Sequence, residues 1–267
     1  MSIRKLNKKD HFKLMKYLSN EPEINLFIIG NIENYGYDNK YLNIWGEFDK
    51  DNNFEAVILK FYKFIIIHSD RSNYKKQETI SILNQHDFDA IAGKFKIIRE
   101  IEKYMGDLKI ASHIYAKLDS NDYLNLNKPA NSKLIKVNEN NLKEVKKNQF
   151  ELFEHIKEFN DFESSKKSFI NEVISGSKRV YQLEYGNRVV ATVSTTSESS
   201  QSAMIVGAAT HPKFRNKGYA TYLIGKLSKD ILDENKTVCL FYENPKAGSI
   251  YKKLGFKEIC RWGVLTK

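Results

Sequence analysis

The sequence has few of the residues that brace small secreted domains. It contains two cysteines, Cys239 and Cys260, and four prolines in 267 residues. Two thiols provide no disulfide framework and favour a reducing compartment. No apolar run approaches the roughly 18 residues of a membrane-spanning helix, and residues 1–8 lack the apolar core of a signal peptide. These absences predict a soluble cytoplasmic protein without a membrane partner.

Two common nucleotide-binding motifs are also missing. Neither Gly-x-Gly-x-x-Gly nor Gly-x-x-x-x-Gly-Lys-Ser/Thr occurs in the chain, which disfavours a nicotinamide dinucleotide or a nucleoside triphosphate as ligand. The formal net charge is +10, but the lysines are scattered among glutamate and asparagine and form no dense tract. A basic nucleic-acid-binding protein therefore stays an alternative that the charge pattern disfavours.

One basic turn that carries a glycine, Thr210–Ala220, has the form of an anion-binding loop. The apolar run 204–209 predicts a strand, and Arg215-x-x-Gly218-x-Ala220 then opens a helix. The first N–H groups of a helix have no partner inside the helix, and the helix dipole adds positive charge there. The turn is therefore suited to hold a phosphate or pyrophosphate.

A second motif follows the next apolar strand, residues 238–243. Residues 244–256 read Asn-x-x-Ala-x-x-x-Tyr-x-x-x-Gly-Phe. The two motifs, in this order and spacing, resemble the signatures of the GNAT acetyltransferase superfamily. The resemblance implies an α+β fold, with a central mixed and splayed β-sheet flanked by helices. It also implies acetyl-CoA as cosubstrate and transfer of its acetyl group to an amine.

The resemblance assigns roles to individual residues of the cosubstrate site. The main chain of Ala208, Ala209 and Thr210 is expected to face the pantetheine arm, and Arg215 adds positive charge to the loop. Asn244 is expected to hydrogen-bond the pantetheine from the neighbouring strand. The amides expected to wrap the pyrophosphate are those of Asn216, Lys217, Gly218, Tyr219, Ala220 and Thr221.

Tyr251 is the one residue to which the resemblance assigns a catalytic role. Acetyl transfer from a thioester needs a neutral amine, a polarised carbonyl and a proton for the departing thiolate. A phenol of ordinary acidity can supply that proton, and Tyr251 is expected to lie beside the CoA sulfur. No metal is expected at the site.

The general base is not assigned by the sequence. Some relatives carry an acidic residue five positions before the Asn of the second motif, where this chain has Cys239. Glu184, Glu198 and Glu243 are alternatives, as is an ordered water. Because neither cysteine has the setting of a nucleophile, direct attack by the amine in a ternary complex is expected. A CoA-binding sensor or interaction module without turnover is the alternative function, and the acceptor is not specified.

The length favours two domains, since one GNAT domain needs about 150 residues. The polar, aperiodic segment 125–132 predicts a linker between residues 1–124 and a GNAT domain at 133–267. In the C-terminal half the pattern predicts helices at 142–159 and 165–174, a hairpin around Gly186-Asn187, and a last strand at 261–266.

The N-terminal half repeats part of this pattern. Helices from residue 10 to residue 35 precede a strand at 41–48, and one long apolar stretch spans residues 54–68. Further segments predict a helix at 73–84, a strand at 90–92, a helix at 95–105 and a strand at 110–118. Gly93 is interpreted as a remnant of the phosphate loop. We expect a degenerate GNAT-like α/β domain that does not bind CoA, with an unrelated α/β cap as the alternative.

Overall fold

The computed structural model describes residues 3–70, 76–124, 126–142 and 169–266. The chain has an α+β fold and divides into two compact units, residues 1–115 with 258–267 and residues 116–257. No helix within the described ranges is long and apolar enough to cross a membrane.

The first unit begins with helices and a meander of strands. Its elements are β1 (Ile3–Lys5), α1 (His11–Leu18), α2 (Leu26–Tyr35), β2 (Leu42–Phe48), β3 (Phe54–Phe61), β4 (Phe64–Ser69), α3 (Lys76–Asn84), β5 (Ala90–Lys94) and α4 (Phe95–Glu102). Strand β6 (Lys109–Leu118) contains the boundary between the units. Strand β12 (Lys257–Thr266), the last element of the chain, supplies the final strand of this unit.

The strand order in the first unit is β1-β2-β3-β4-β5-β12. Neighbours are antiparallel except β4 and β5, which are parallel. Side chains alternate across β3, so Val57 and Leu59 join the core with α1 and α2, whereas Ala56 and Ile58 join the core with α3 and α4. Helices therefore cover both faces of the sheet.

The long apolar stretch at residues 54–68 is two strands, β3 and β4. They are joined at Tyr62, which has a left-handed φ of 50°. Its N–H donates to the Tyr41 carbonyl at 3.0 Å, and the two rings stack with centroids 4.3 Å apart. The sequence did not indicate this turn because it lacks Gly, Asn or Pro, and tertiary stacking holds a bulky residue in this conformation.

Gly93 is not a remnant of a phosphate loop. It lies inside β5, paired with Ile67 of the parallel strand β4. A Cβ atom at Gly93 would lie 2.5 Å from the Ile67 carbonyl oxygen, so the glycine permits close contact between the strands. The predicted interpretation was wrong because a glycine before a helix has the same sequence pattern in both settings.

The second unit begins, within the described residues, with β7 (Ser132–Lys136). It continues through β8 (Val180–Tyr185), β9 (Arg188–Thr196), β10 (Ser202–Thr210), α5 (Tyr219–Leu232), β11 (Thr237–Tyr242) and α6 (Pro245–Lys253). The order is β11-β10-β9-β8-β7, antiparallel except for parallel β10 and β11. Helix α5 packs on this sheet through Leu223, Leu227 and Ile231.

The two units therefore repeat one pattern of strand pairing, three antiparallel pairs followed by one parallel pair. This confirms the expected GNAT-like α/β architecture of the N-terminal half. The hairpin at Gly186-Asn187 is present, whereas the predicted helix 142–159 lies almost entirely outside the described residues. The boundaries 1–124, 125–132 and 133–267 remain a prediction, and residues 258–267 group with the first unit because β12 pairs with β5.

Candidate active site

The site begins where two parallel strands stop pairing. The register between β10 and β11 runs from Ser202 with Thr237 to Ile205 with Leu240. Both strands continue beyond this point, β10 to Thr210 and β11 to Tyr242. Between Val206 and Ala209 the pairing of β10 with β9 is also irregular, and Gly207 has a φ of +63°. Backbone groups on the facing edges of β10 and β11 are therefore available to a ligand.

The three residues predicted to face the pantetheine end β10. Ala208 is exposed, Ala209 is buried and Thr210 is half-buried. The Thr210 carbonyl accepts a hydrogen bond from Arg215 Nε at 3.3 Å. Thr210 Oγ1 is buried without a hydrogen-bond partner within the described ranges. Arg215 therefore braces the strand end as well as contributing charge, a role that the sequence did not indicate.

The loop after β10 alternates its backbone conformation. Asn216 and Gly218 have φ values of 61° and 79°, whereas Lys217 between them has none in the left-handed region. Such alternation turns successive N–H groups toward one side and forms an anion-binding nest. A Cβ at Gly218 would meet no atom within 4 Å, so the left-handed φ explains this glycine and the space over it is open.

Helix α5 begins at this loop without a side-chain cap. Gly218 is the N-cap, and the first helical hydrogen bond there runs from the Tyr222 N–H to the Gly218 carbonyl at 2.9 Å. The N–H groups of Tyr219, Ala220 and Thr221 precede that bond and have no partner inside the helix. They are the groups that the dipole of the longest described helix makes most attractive to an anion.

Positive charge is concentrated on the same loop. Lys213, Arg215 and Lys217 are exposed, and no acidic residue within the described ranges forms an ion pair with any of them. Lys217 Nζ lies 5.4 Å from the ring centroid of Phe214. The Phe214 ring also contacts Tyr219, with centroids 5.9 Å apart, so an aromatic side chain anchors the loop to α5.

His211 has a structural role in the turn that follows β10. Its Nδ1 accepts a hydrogen bond from the Lys213 N–H at 3.2 Å, and its own N–H donates to the Val190 carbonyl at 2.8 Å. The residue shapes the turn before Pro212.

Asn244 caps α6. Its Oδ1 accepts a hydrogen bond from the Lys246 N–H at 2.9 Å, which fixes the amide. Within the described part of the chain no group accepts from Nδ2, so the amide N–H groups can bond to an acceptor on a ligand. Asn244 is exposed, in the segment that follows β11.

Tyr251 lies on α6, which follows the same strand. Its ring packs between Tyr242 and Phe256, with centroid distances of 5.5 and 5.9 Å. Burial raises the pKa of the phenol above its ordinary value. No described group hydrogen-bonds to the hydroxyl. The Tyr251 phenol is therefore partly buried between two aromatic rings, and its hydroxyl has no hydrogen-bond partner within the described residues.

The structure narrows the choice of a general base. Glu198 accepts a bidentate hydrogen bond from Arg179, with distances of 3.0 and 2.9 Å, and a further one from Thr195 Oγ1 at 2.7 Å. This network lies where β8, β10 and β11 start, at the opposite ends of these strands from the loop. Cys239 is fully buried. Only Glu184 and Glu243 of the predicted candidates lie near strand ends on the loop side.

Comparison with known proteins agrees with this geometry. A Drosophila protein of known structure matches with a TM-score of 0.72 at 9% identity, covering 99% of this chain and 98% of its own. A tandem GNAT protein from the clavulanic acid biosynthesis pathway matches with a TM-score of 0.59 at 13% identity, covering 100% and 98%. A GCN5-related N-acetyltransferase-like protein from Streptococcus suis gives 0.58 at 14% identity, covering 97% and 98%.

At these identities the structural matches show a shared fold. The search of curated proteins found no match. The family model for GNAT acetyltransferase matches residues 43–265, which include all of the second unit and most of the first. The chain belongs to the GNAT acetyltransferase family.

Proposed function

We propose that the protein transfers an acetyl group from acetyl-CoA to an amine acceptor, by direct attack in a ternary complex. The observation that carries this proposal is the end of pairing between β10 and β11 beside the uncapped start of α5. The edges of the strands would receive the pantetheine arm, and the nest at Asn216–Gly218 would receive the pyrophosphate.

The loop chemistry suits the charge of CoA. The N–H groups of residues 216–221 would donate to the pyrophosphate oxygens, and Lys213, Arg215 and Lys217 would add charge. The free amide N–H of Asn244 would bond to a carbonyl of the pantetheine. These assignments follow the residues predicted from the sequence, and they place the thioester between the ends of β10 and β11.

The reaction requires three changes at the thioester. The neutral amine attacks the carbonyl carbon, forming a C–N bond and an oxyanion that a backbone N–H near the end of β10 would stabilise. The intermediate then expels the thiolate, and Tyr251 donates its phenolic proton to the sulfur, while the nitrogen, positively charged after the attack, gives up a proton to water. Solvent then returns a proton to the Tyr251 phenolate. The raised pKa of Tyr251 keeps that proton in place at neutral pH.

The cysteines favour direct transfer over an acyl-enzyme. Cys239 is fully buried inside β11. Burial raises the pKa of Cys260 to about 11, which leaves little thiolate at neutral pH. Neither thiol has the low pKa and access that a nucleophile needs, so the acceptor amine itself would attack the thioester.

Calorimetric titration with acetyl-CoA and with CoA tests the donor site. Gly218→Glu places a carboxylate and a Cβ in the nest and should abolish binding. Gly106→Glu is a matched control, since Gly106 also has a positive φ and nothing within 4 Å of a built Cβ. Absence of binding in the unmodified protein, or equal binding in both variants, would refute the proposal.

A binding module without turnover is the second candidate, because the position of the acidic residue of some relatives holds the buried Cys239. Thiol release measured across a panel of amines separates the two. Release that depends on Tyr251 supports catalysis, and tight CoA binding without release for any amine supports the module.

A further inference from the structure

A cluster of charged side chains in the first unit lies outside the acetyl-CoA site. Glu21, His68 and Asp70 each place one potential ligand atom within 4.8 Å of the others. Glu21 lies between α1 and α2, whereas His68 is in β4 and Asp70 follows that strand. His68 is 2% exposed, and the carboxylates are about one third exposed. The imidazole is therefore buried, whereas both carboxylates reach solvent.

The spacing of these atoms fits a coordination sphere. His68 Nε2 lies 2.9 Å from Asp70 Oδ1 and 4.0 Å from Glu21 Oε2. Ligands at about 2.0–2.1 Å from a tetrahedral ion are roughly 3.3 Å apart, a value between the two distances. Small side-chain rotations would place all three atoms around one ion.

His68 Nε2 has one hydrogen-bond donor and two hydrogen-bond acceptors as neighbours. Asn25 Nδ2 is a hydrogen-bond donor 3.3 Å away, fixed by its bond to the Leu18 carbonyl at 2.9 Å. The carboxylates of Asp70 and Glu21 are acceptors. A protonated Nε2 satisfies Asp70 and opposes Asn25, and an unprotonated one does the reverse. A cation beside an unprotonated Nε2 would relieve the repulsion with the carboxylates.

Two buried polar atoms around the cluster have no hydrogen-bond partner within the described part of the chain. They are Oδ1 of Asn25, a residue with 0% exposure, and Nδ1 of His68. Unpaired buried polar atoms are costly, and in native proteins they often mark a group whose partner is an ion or water. Rotation of the Asn25 amide would break its bond to the Leu18 carbonyl, but it would turn the oxygen toward the site and add a fourth ligand, the third that is an oxygen.

We propose that Glu21, His68 and Asp70 bind a divalent transition-metal ion of the Zn²⁺ class. One imidazole with carboxylate and amide oxygens is a ligand set of this type. The resident competitor is Lys94, whose Nζ lies 2.5 Å from Glu21 Oε2 and must leave when the ion enters. The site departs from the expectation of a protein without metal, and it is independent of acetyl transfer.

Such an ion would join separate parts of the first unit. Glu21 connects α1 to α2, whereas His68 is the first residue of β4 beyond its last pair with β5, Ile67 with Gly93. An ion held by both would fix the α1–α2 segment onto the end of the sheet. We therefore assign it a structural role, and binding should raise the melting temperature.

Titration of the full chain with Zn²⁺ by calorimetry tests the proposal, with Co²⁺ absorption reporting the coordination. We expect one ion at this site, and at least tenfold weaker binding in His68→Ala and in Glu21→Gln. Lys94→Met removes the competitor and should tighten binding severalfold. His11→Ala, in the same unit, is the histidine control and should leave the affinity unchanged.

The result that overturns the proposal is absence of saturable Zn²⁺ binding, or binding that Glu21→Gln and His68→Ala leave unchanged. Glu21→Gln keeps the side-chain volume at a partly exposed position, so it decides the question if His68→Ala does not fold. Equal affinity for Mg²⁺ would overturn the assignment to the Zn²⁺ class. Acetyl-CoA affinity measured on the same variants should not change.

Discussion

The two halves of the chain share a pattern of strand pairing and differ at the end of their parallel pair. In the second unit β10 runs through residues 206–210 after its last pair with β11. In the first unit β4 extends only to Ser69 after its last pair with β5, and β5 ends at Lys94. The second unit therefore offers a gap between strands where the first is closed.

The residues that follow β11 and β5 also differ between the two units. Asn244 directly precedes α6, whereas Lys94 directly precedes α4 and forms an ion pair with Glu21. Tyr251 is the seventh residue of α6, and the seventh residue of α4 is the buried Ile101. One backbone framework thus carries the proposed cosubstrate site in one half and a polar cluster in the other, because a few side chains and strand lengths differ.

The prediction with the largest expected effect concerns the number of acetyl-CoA molecules that bind to one chain. Calorimetry should give one acetyl-CoA per chain, and Gly218→Glu should remove all of the binding because the closed first unit offers no second site. Two binding events, or half of the binding retained in the variant, would contradict the comparison.

The next largest effect is expected at Tyr251, whose counterpart in the first unit is Ile101. Tyr251→Phe should lower kcat by about 10²- to 10⁴-fold, the range of a lost general acid, with little change in acetyl-CoA affinity. Because burial raises the pKa of Tyr251, the phenol keeps its proton through neutral pH. Activity that depends on this proton should therefore fall only at pH values above the ordinary range of a tyrosine. Tyr104→Phe, an exposed tyrosine of the first unit, is the control. An unchanged kcat in Tyr251→Phe would remove Tyr251 from the mechanism.

Loop charge should have a smaller effect. Replacing Arg215 and Lys217 with alanine should weaken acetyl-CoA about tenfold, or roughly 1.4 kcal/mol, and reduce the salt dependence of binding. Changing the exposed Lys8 and Lys9 of the first unit to alanine removes the same charge elsewhere. Equal losses in the two double variants would mean that net charge matters and the loop does not.

Disrupting one ion-pair network of the second unit, centred on Asp230, should lower the free energy of unfolding by a comparable amount. Burial would raise the pKa of Asp230, but hydrogen bonds from Lys136, Lys226 and Tyr181 lower it to about 2. The stabilisation is present above the ordinary carboxyl pKa and is lost as pH falls toward 2. Asp230→Asn should lower the free energy of unfolding at pH 7 by about 1–2 kcal/mol, and the difference should shrink in acid. Denaturant unfolding at both pH values measures it.

The smallest effect on catalysis is expected at Glu198. Because Arg179 and Thr195 hold this carboxylate at the far ends of the strands, Glu198→Gln should lower the melting temperature and leave kcat within about twofold, well below a general-base effect. A large loss of kcat in a folded variant would restore Glu198 as the base.

The sequence predicted the elements whose signals are local. The glycine-bearing turn before α5 and the hairpin at Gly186-Asn187 rest on glycine and asparagine in turns, and both turns lie where predicted. Binding of a phosphate by the first turn stays a prediction. The turn at Tyr62 was missed because ring stacking holds it, and Gly93 was misread because its reason is contact with β4. The cluster of Glu21, His68 and Asp70 joins residues far apart in the chain, so no local pattern could indicate it.

The position of β12 has a consequence for biosynthesis. The last strand of the first unit is translated only after every residue of the second unit. The other strands of the N-terminal half must therefore wait for it, with the edge of β5 exposed. The first unit is thus the first to be started and the last to be completed.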